Sequence, residues 1–234
     1  MTAIDTATRF LYRAAVAAFV ATLAYTVWIA SALPAELASP SGTFRTPILA
    51  FELARSRVDL VHVFGGPEDP LRSARIAAML RGHELDAGYL VVYNLFLGVL
   101  LAAVVRETGR SSLRHALGLP LCAVAADAWE NIILVALLAR LEQPQELLAR
   151  LAIATWCKWG AIALATAAAG IGLLALRRRV LGALALLPVP TVLVAYVDPL
   201  RYGELLSLSL PVSWIALVVH AVSRVREAAD GGSS

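Results

Sequence analysis

Residues 116–139 read ALGLPLCAVAADAWENIILVALLA, and this stretch decides the fold. A hydrocarbon core of about 30 Å takes roughly 20 helical residues to cross, and the run is long enough to do so. It is apolar except near its middle, where Asp127, Glu130 and Asn131 fall at i, i+3 and i+4 and therefore share one helical face. Five more apolar runs of spanning length flank it: Phe10–Leu33, Ala87–Val105, Leu151–Leu176, Val180–Val197 and Leu205–Val222. Across 234 residues the chain is 59% hydrophobic and 16% charged, with mean hydropathy +0.74. A soluble domain sits nearer 45–50% apolar and about 25% charged. The expected fold is thus an all-α, polytopic membrane bundle of six transmembrane helices, forming a single membrane domain over residues 1–234. This composition excludes a secreted disulfide scaffold, a nucleic-acid-binding domain and a soluble dehydrogenase or hydrolase.

Between the first and second runs lies a long segment, Pro34–Asp86. Its apolar residues Ile48, Phe51, Leu53, Val58, Leu60 and Val61 alternate with Glu52, Arg55, Arg57 and Asp59. After the turn Gly65-Gly66-Pro67, a second amphipathic stretch runs from Pro70 to Arg81. Two short interfacial helices fit this pattern, read as a cap over the bundle, with a plain interfacial loop as the alternative. Pro188 and Pro190 predict a kink or local unwinding of the fifth span, because proline removes backbone donors. Pro211 lies within the sixth. The tail Glu227–Ser234 reads as a polar fray.

Orientation is read from arginine. With the N-terminus inside, the inner segments hold ten arginines against three in the short outer loops, which places both termini in the cytoplasm and residues 34–86 outside. The long loop adds six arginines and seven acids. Of 20 basic residues only Lys158 is lysine, and the richness in Arg, Ala and Leu points to a bacterial inner membrane. Ala30-Ser31-Ala32 resembles a signal-peptidase site. The run before it is longer than a signal h-region, and Tyr25 and Trp28 sit where an interfacial belt would, so the first helix is expected to be retained.

The net charge of +3 reads as arginines at membrane ends rather than a nucleic-acid surface. Cys122 and Cys157 lie in apolar runs at different depths, about 10 Å apart, beyond disulfide reach. His62, His83, His115 and His220 are scattered. No metal or cofactor is expected from these spacings.

Charges inside spans cost roughly 2.5–3.5 kcal/mol each by insertion scales, so Asp127, Glu130 and Lys158 carry the information. By helical rise Glu130 lies about 13 Å and Lys158 about 10 Å from the loop that joins their helices, a matched depth for a pair. Asp127, Glu130 and Lys158 are the candidate catalytic residues. Candidate substrate-binding residues are Asn131, Tyr89, Tyr93, Asn94, Trp129 and Trp156. Trp129, Trp156 and Trp159 read first as lipid-facing anchors and second as site walls. Asp86 reads as the cap of the second helix, and His220 beside Arg224 as an interface residue. The inner half is expected to be nearly featureless.

Three functions fit. The first is a membrane-embedded enzyme using intramembrane carboxylates for acid/base chemistry on a lipid-soluble substrate, of isomerase, cyclase or hydrolase type. A small proton- or cation-coupled transporter, with Pro188 and Pro190 breaking a helix near the site, is the second. The third is a non-catalytic assembly subunit held together by the polar network. Expected partners are membrane lipid and a lipid-soluble small molecule, not nucleic acid. The oligomeric state stays open.

Overall fold

A computed structural model describes residues 4–230, with side chains described to Glu227. Six of its helical segments are long and apolar enough to cross a membrane: Thr6–Ala32, Arg72–Thr108, Ser111–Leu138, Gln145–Ala175, Arg179–Val197 and Pro199–Glu227. No strand occurs among the described residues. The chain is a multi-pass, all-helical membrane bundle.

Helix α1 (Thr6–Ala32) is started by Asp5, whose carboxylate accepts from Thr8 N at 2.7 Å, and it stops at Leu33 ahead of Pro34. It runs along α4 (Arg72–Thr108), where Gly88 leaves room for the Tyr25 hydroxyl; a Cβ there would come within 2.2 Å of it. Small residues of this kind let membrane helices approach closely. A 3₁₀ segment (Ser111–Gly118) leads into α5 (Leu119–Leu138), and a short turn then leads into α6 (Gln145–Ala175). The fifth crossing is broken, as its prolines predict, into α7 (Arg179–Ala185) and α8 (Pro188–Val197). Ser213 of α9 (Pro199–Asp230) donates its hydroxyl to the Leu184 carbonyl at 2.8 Å, satisfying an acceptor at the break. Helix α9 continues to Asp230, so the expected fray is helical over its first residues; 231–234 lie outside the described residues.

Large side chains such as Leu121, Ile132, Val180 and Val197 point away from the bundle and are more than two-thirds exposed, as lipid-facing positions would be. The interior packs Tyr12, Phe19, Phe96, Leu97, Leu100, Trp214 and Leu217.

Two expectations about the long loop need correction. The amphipathic stretch Pro70–Arg81 is not a separate interfacial helix. From Arg72 it is the start of α4, 37 residues and about 55 Å long. Polar residues before Ala87 suggested that the span began there. Two of them are instead held inside the protein: His83 is 4% exposed and Asp86 accepts from Asn131. The earlier stretch divides into α2 (Pro47–Glu52) and α3 (Arg57–Phe64). Ser56 and Asp59 form a reciprocal capping box that starts α3 afresh and ends any continuous helix.

These helices do not lie flat as an amphipathic float. Phe44, Leu49, Phe51, Leu53, Leu60, Val63 and Phe64 pack onto Met79 of α4, Ile133, Leu134 and Leu137 of α5, and Leu148, Leu151 and Ala154 of α6. Polar ties fasten the rim. Glu204 accepts from the backbone N–H groups of Arg45 (2.6 Å) and Thr46 (2.8 Å), and Glu142 pairs with Arg72 at 2.7 Å and also with Arg57. The segment is a cap, and the end of the bundle it covers is the cap end below.

The opposite end is not featureless. The Tyr12 hydroxyl donates to Glu107 Oε2 at 2.5 Å, and His220 Nε2 lies 3.1 Å from that hydroxyl. Arg224 Nε is 2.7 Å from Glu107 Oε1. Tyr12, His220 and Arg224 are each at most 5% exposed. Read one helix at a time, Tyr12, Glu107 and His220 look like interfacial residues at three helix ends; only packing of α1, α4 and α9 makes them one buried network.

Candidate functional site

Lys158 lies on the face of α6 turned toward α5 and is 6% exposed. A buried ammonium needs anionic partners, because the lost hydration is otherwise uncompensated. Three carboxylates supply them. Lys158 Nζ contacts Glu130 Oε2 directly, and stands 2.9 Å from Glu52 Oε2 and 3.6 Å from Asp127 Oδ1. The Trp159 ring lies beside it, with the ammonium 5.3 Å from the ring centroid. Asp127 and Glu130 come from one face of α5, as their spacing predicts. Glu52 is new. It ends α2, and the cap carries it down into the cluster.

The network extends along α4. Tyr93 donates its hydroxyl to Asp127 Oδ2 at 2.6 Å. Asn131 donates through Nδ2 to Asp86 Oδ2 at 2.5 Å. With the amide nitrogen committed there, Asn131 Oδ1 takes the Nδ1 proton of His83 at 3.2 Å. His83 Nε2 and Glu130 Oε1 are then buried acceptors without a hydrogen-bond partner among the described residues. Thr155 Oγ1 donates to the Glu52 carbonyl at 3.1 Å and fixes the end of α2 against α6.

Four carboxyl groups, Glu52, Asp86, Asp127 and Glu130, thus share one compact polar region with the single ammonium of Lys158. Full ionisation would leave it strongly negative in a low-dielectric setting, where like charges repel hard. Burial raises the Glu52 carboxyl above its ordinary range, against the pull of Lys158. Carboxyl groups, a phenol and an imidazole, held in two neighbouring bonded sets, can donate and accept protons without bulk water.

Of the residues read from sequence, Asp127, Glu130, Lys158 and Asn131 come together, and Tyr93 bonds Asp127 directly instead of facing it across a gap. Tyr89 is next to Tyr93, ring centroids 5.3 Å apart, and its hydroxyl accepts from Thr26 at 3.3 Å on the α1 side. Asn94 is buried, but its Nδ2 donates back to the Leu90 carbonyl at 2.8 Å. Trp129 is 41% exposed and stands on the outward face of α5. Trp156 also lies apart from the cluster, with its ring edge-on to Tyr196 at 5.3 Å. Cys122 and Cys157 are free and exposed.

Sequence reasoning missed Glu52 and His83 as members, and placed Asp86 on the face of Tyr89, Tyr93 and Asn94 only as a possible helix cap. For the α4 pair a signal existed. His83, Asp86, Leu90, Tyr93 and Asn94 repeat at three and four residues, so the polar face of the span extends back past its apparent start. No such signal marks Glu52, which reads like the other acids of its loop.

No protein-family model matches the chain, and neither a curated protein nor a solved structure matches it.

Proposed function

We propose that the protein is a membrane-embedded enzyme that performs acid/base chemistry on a lipid-soluble substrate. One observation carries the reading: several carboxyl groups converge on one lysine, more than that lysine neutralises, beneath a cap that separates them from water. A network built only to hold helices together is better served by matched charges or by apolar packing of the same volume. In this scheme Lys158 holds one carboxylate ionised as base, and a second carboxyl, kept protonated by its neighbours, serves as acid. Asp127 and Glu130 fill these two roles; Tyr93, Asn131 and His83 orient the substrate and relay protons. Glu52 ties the state of the cap to the charge of the site. The cap faces the extracytoplasmic side of a bacterial inner membrane in this reading, with both termini cytoplasmic, in keeping with the arginine distribution.

The transport alternative draws on a broken helix at the charged site. The break between α7 and α8 falls beside Gly170, where a Cβ would lie 2.9 Å from Ala185 Cβ. That is about 18 Å of helical rise along α6 from Lys158, so the freed backbone carbonyls are not at the cluster.

The test is comparative lipid profiling of membranes that hold equal folded amounts of the wild type, Asp127→Asn and Glu130→Gln. A lipid-soluble species should be consumed, and another formed, with the wild type only. Identical profiles for all three membranes would refute the enzymatic reading.

A further inference from the structure

A hollow of about 600 Å³ opens on the lipid-facing side near the cap end, lined by Arg55, Ala152, Ile153, Trp156, Tyr196 and Pro199 among others. Its walls are apolar and aromatic, and Ile153 and Tyr196 are each more than half exposed toward the surroundings of the bundle. Arg55 is the one charged residue in its lining. The guanidinium is already placed: Nη1 donates to the Ala54 carbonyl at 2.7 Å and to the Glu52 carbonyl at 3.3 Å. Trp156 lies beneath it, the guanidinium carbon 5.7 Å from the ring centroid. The other terminal nitrogen, Nη2, is buried without a hydrogen-bond partner among the described residues. Burial pulls the Arg55 guanidinium below its ordinary value, opposed by the fields of Glu130 and Asp59, which marks it as poorly hydrated.

A guanidinium half-used on backbone carbonyls, with its remaining nitrogen unsatisfied, is an anion receptor. Its surroundings say what kind of anion. An acyl chain fits the apolar wall of α6 and α8. Trp156 and Tyr196 supply amphipathic rings of the kind that favour the headgroup boundary. A free aqueous anion would gain nothing from those walls.

We propose that this hollow binds a phospholipid with a net anionic headgroup, its phosphate against the Arg55 guanidinium and an acyl chain between α6 and α8. The site goes beyond the acid–base reading and stands on its own geometry. It places the headgroup next to the end of α2, so that the lipid and Glu52 contact the same short segment of the cap.

The purified full-length protein is equilibrated with phosphatidylglycerol and phosphatidylcholine of matched chains, and bound lipid is counted by native mass spectrometry. Phosphatidylglycerol should be retained about tenfold more strongly, the range of one charge-assisted contact. Arg55→Gln should bring the two lipids to parity, and Arg55→Lys should keep part of the preference. Arg55 also holds carbonyls of the cap, so Ile153→Trp provides a check that leaves those bonds in place. It fills the hollow and should abolish the retention in a protein of unchanged melting temperature. Equal retention of both lipids by the wild type would overturn the proposal, as would undiminished retention in Ile153→Trp. Displacement of the lipid by millimolar inorganic phosphate alone would also overturn it, because the receptor would then be one for free anions.

Discussion

Replacing Lys158 with methionine keeps the length of the side chain and deletes its charge. The variant leaves Glu52, Asp127 and Glu130 around an apolar tip, with no ammonium within the 2.9–3.6 Å now seen to Glu52 and Asp127. To keep the same net charge in the same low-dielectric volume, the folded protein must bind one further proton. Drawing a proton at pH 7 onto a carboxyl of ordinary value near 4 costs about 1.4 kcal/mol for each of roughly three units, or about 4 kcal/mol. This agrees with the roughly 3–5 kcal/mol lost when a buried ion pair is broken from one side. For a chain of this size such a loss lowers the melting temperature by roughly 8–16 °C. The pH dependence has a definite sign. The folded variant holds a proton that the unfolded chain has released above about pH 4, so its stability falls as pH rises. Near pH 5 the deficit should shrink to about 1 kcal/mol by the same slope. Thermal melts of wild type and variant in one detergent, at pH 5 and pH 7, measure this directly. Adding Glu130→Gln to the variant should restore part of the loss, since it removes one stranded carboxyl. A Lys158→Met protein that melts within 2 or 3 °C of wild type at both pH values would refute the electrostatic account of the cluster.

Reporter fusions at Arg110 and Gln145 should report opposite sides of the membrane, since the two positions flank one crossing; the same side for both would displace the assigned spans. The rim of the cap should loosen in acid. Hydrogen bonds from Arg72 and Arg57 hold the Glu142 carboxyl below its ordinary range, and the Leu71 backbone N–H and Arg75 do the same for Asp69. Groups lowered in this way add stability above the unfolded value near 4 and lose it as pH falls through their folded values. Hydrogen exchange over residues 57–75 should therefore quicken below about pH 4, and exchange that is unchanged down to pH 2 would contradict those ties.

The number of crossings, the broken fifth helix and the meeting of Asp127, Glu130 and Lys158 were all legible in the sequence, because each follows from a local quantity: run length, proline position or helical spacing. What stayed hidden depends on contacts between distant segments. Glu52 enters the site only because apolar residues such as Phe51 and Phe64 seat the cap on α5 and α6, and nothing in the order Ala-Phe-Glu-Leu-Ala announces that docking. His83 and Asp86 misled for a related reason. Polarity ahead of an apolar run normally marks a membrane boundary, yet here Asn131 of α5 bonds both side chains from across the interface. The Tyr12–Glu107–His220 network escaped notice in the same way, one residue to a helix.

The short turn between α5 and α6 bears on how the chain enters the bilayer. Helix α5 on its own would bring two acids to mid-membrane, a penalty of roughly 5–7 kcal/mol on insertion scales. Its compensating ammonium lies on the very next helix, in contact with Glu130 and within 3.6 Å of Asp127. The two segments are therefore favoured to partition as a joined hairpin rather than in succession, with α5 held at the insertion machinery until Lys158 has been synthesised. By then the segment bearing Glu52 has already been made. The third carboxylate reaches the lysine from the cap, closing the site only after both halves of the hairpin are in place.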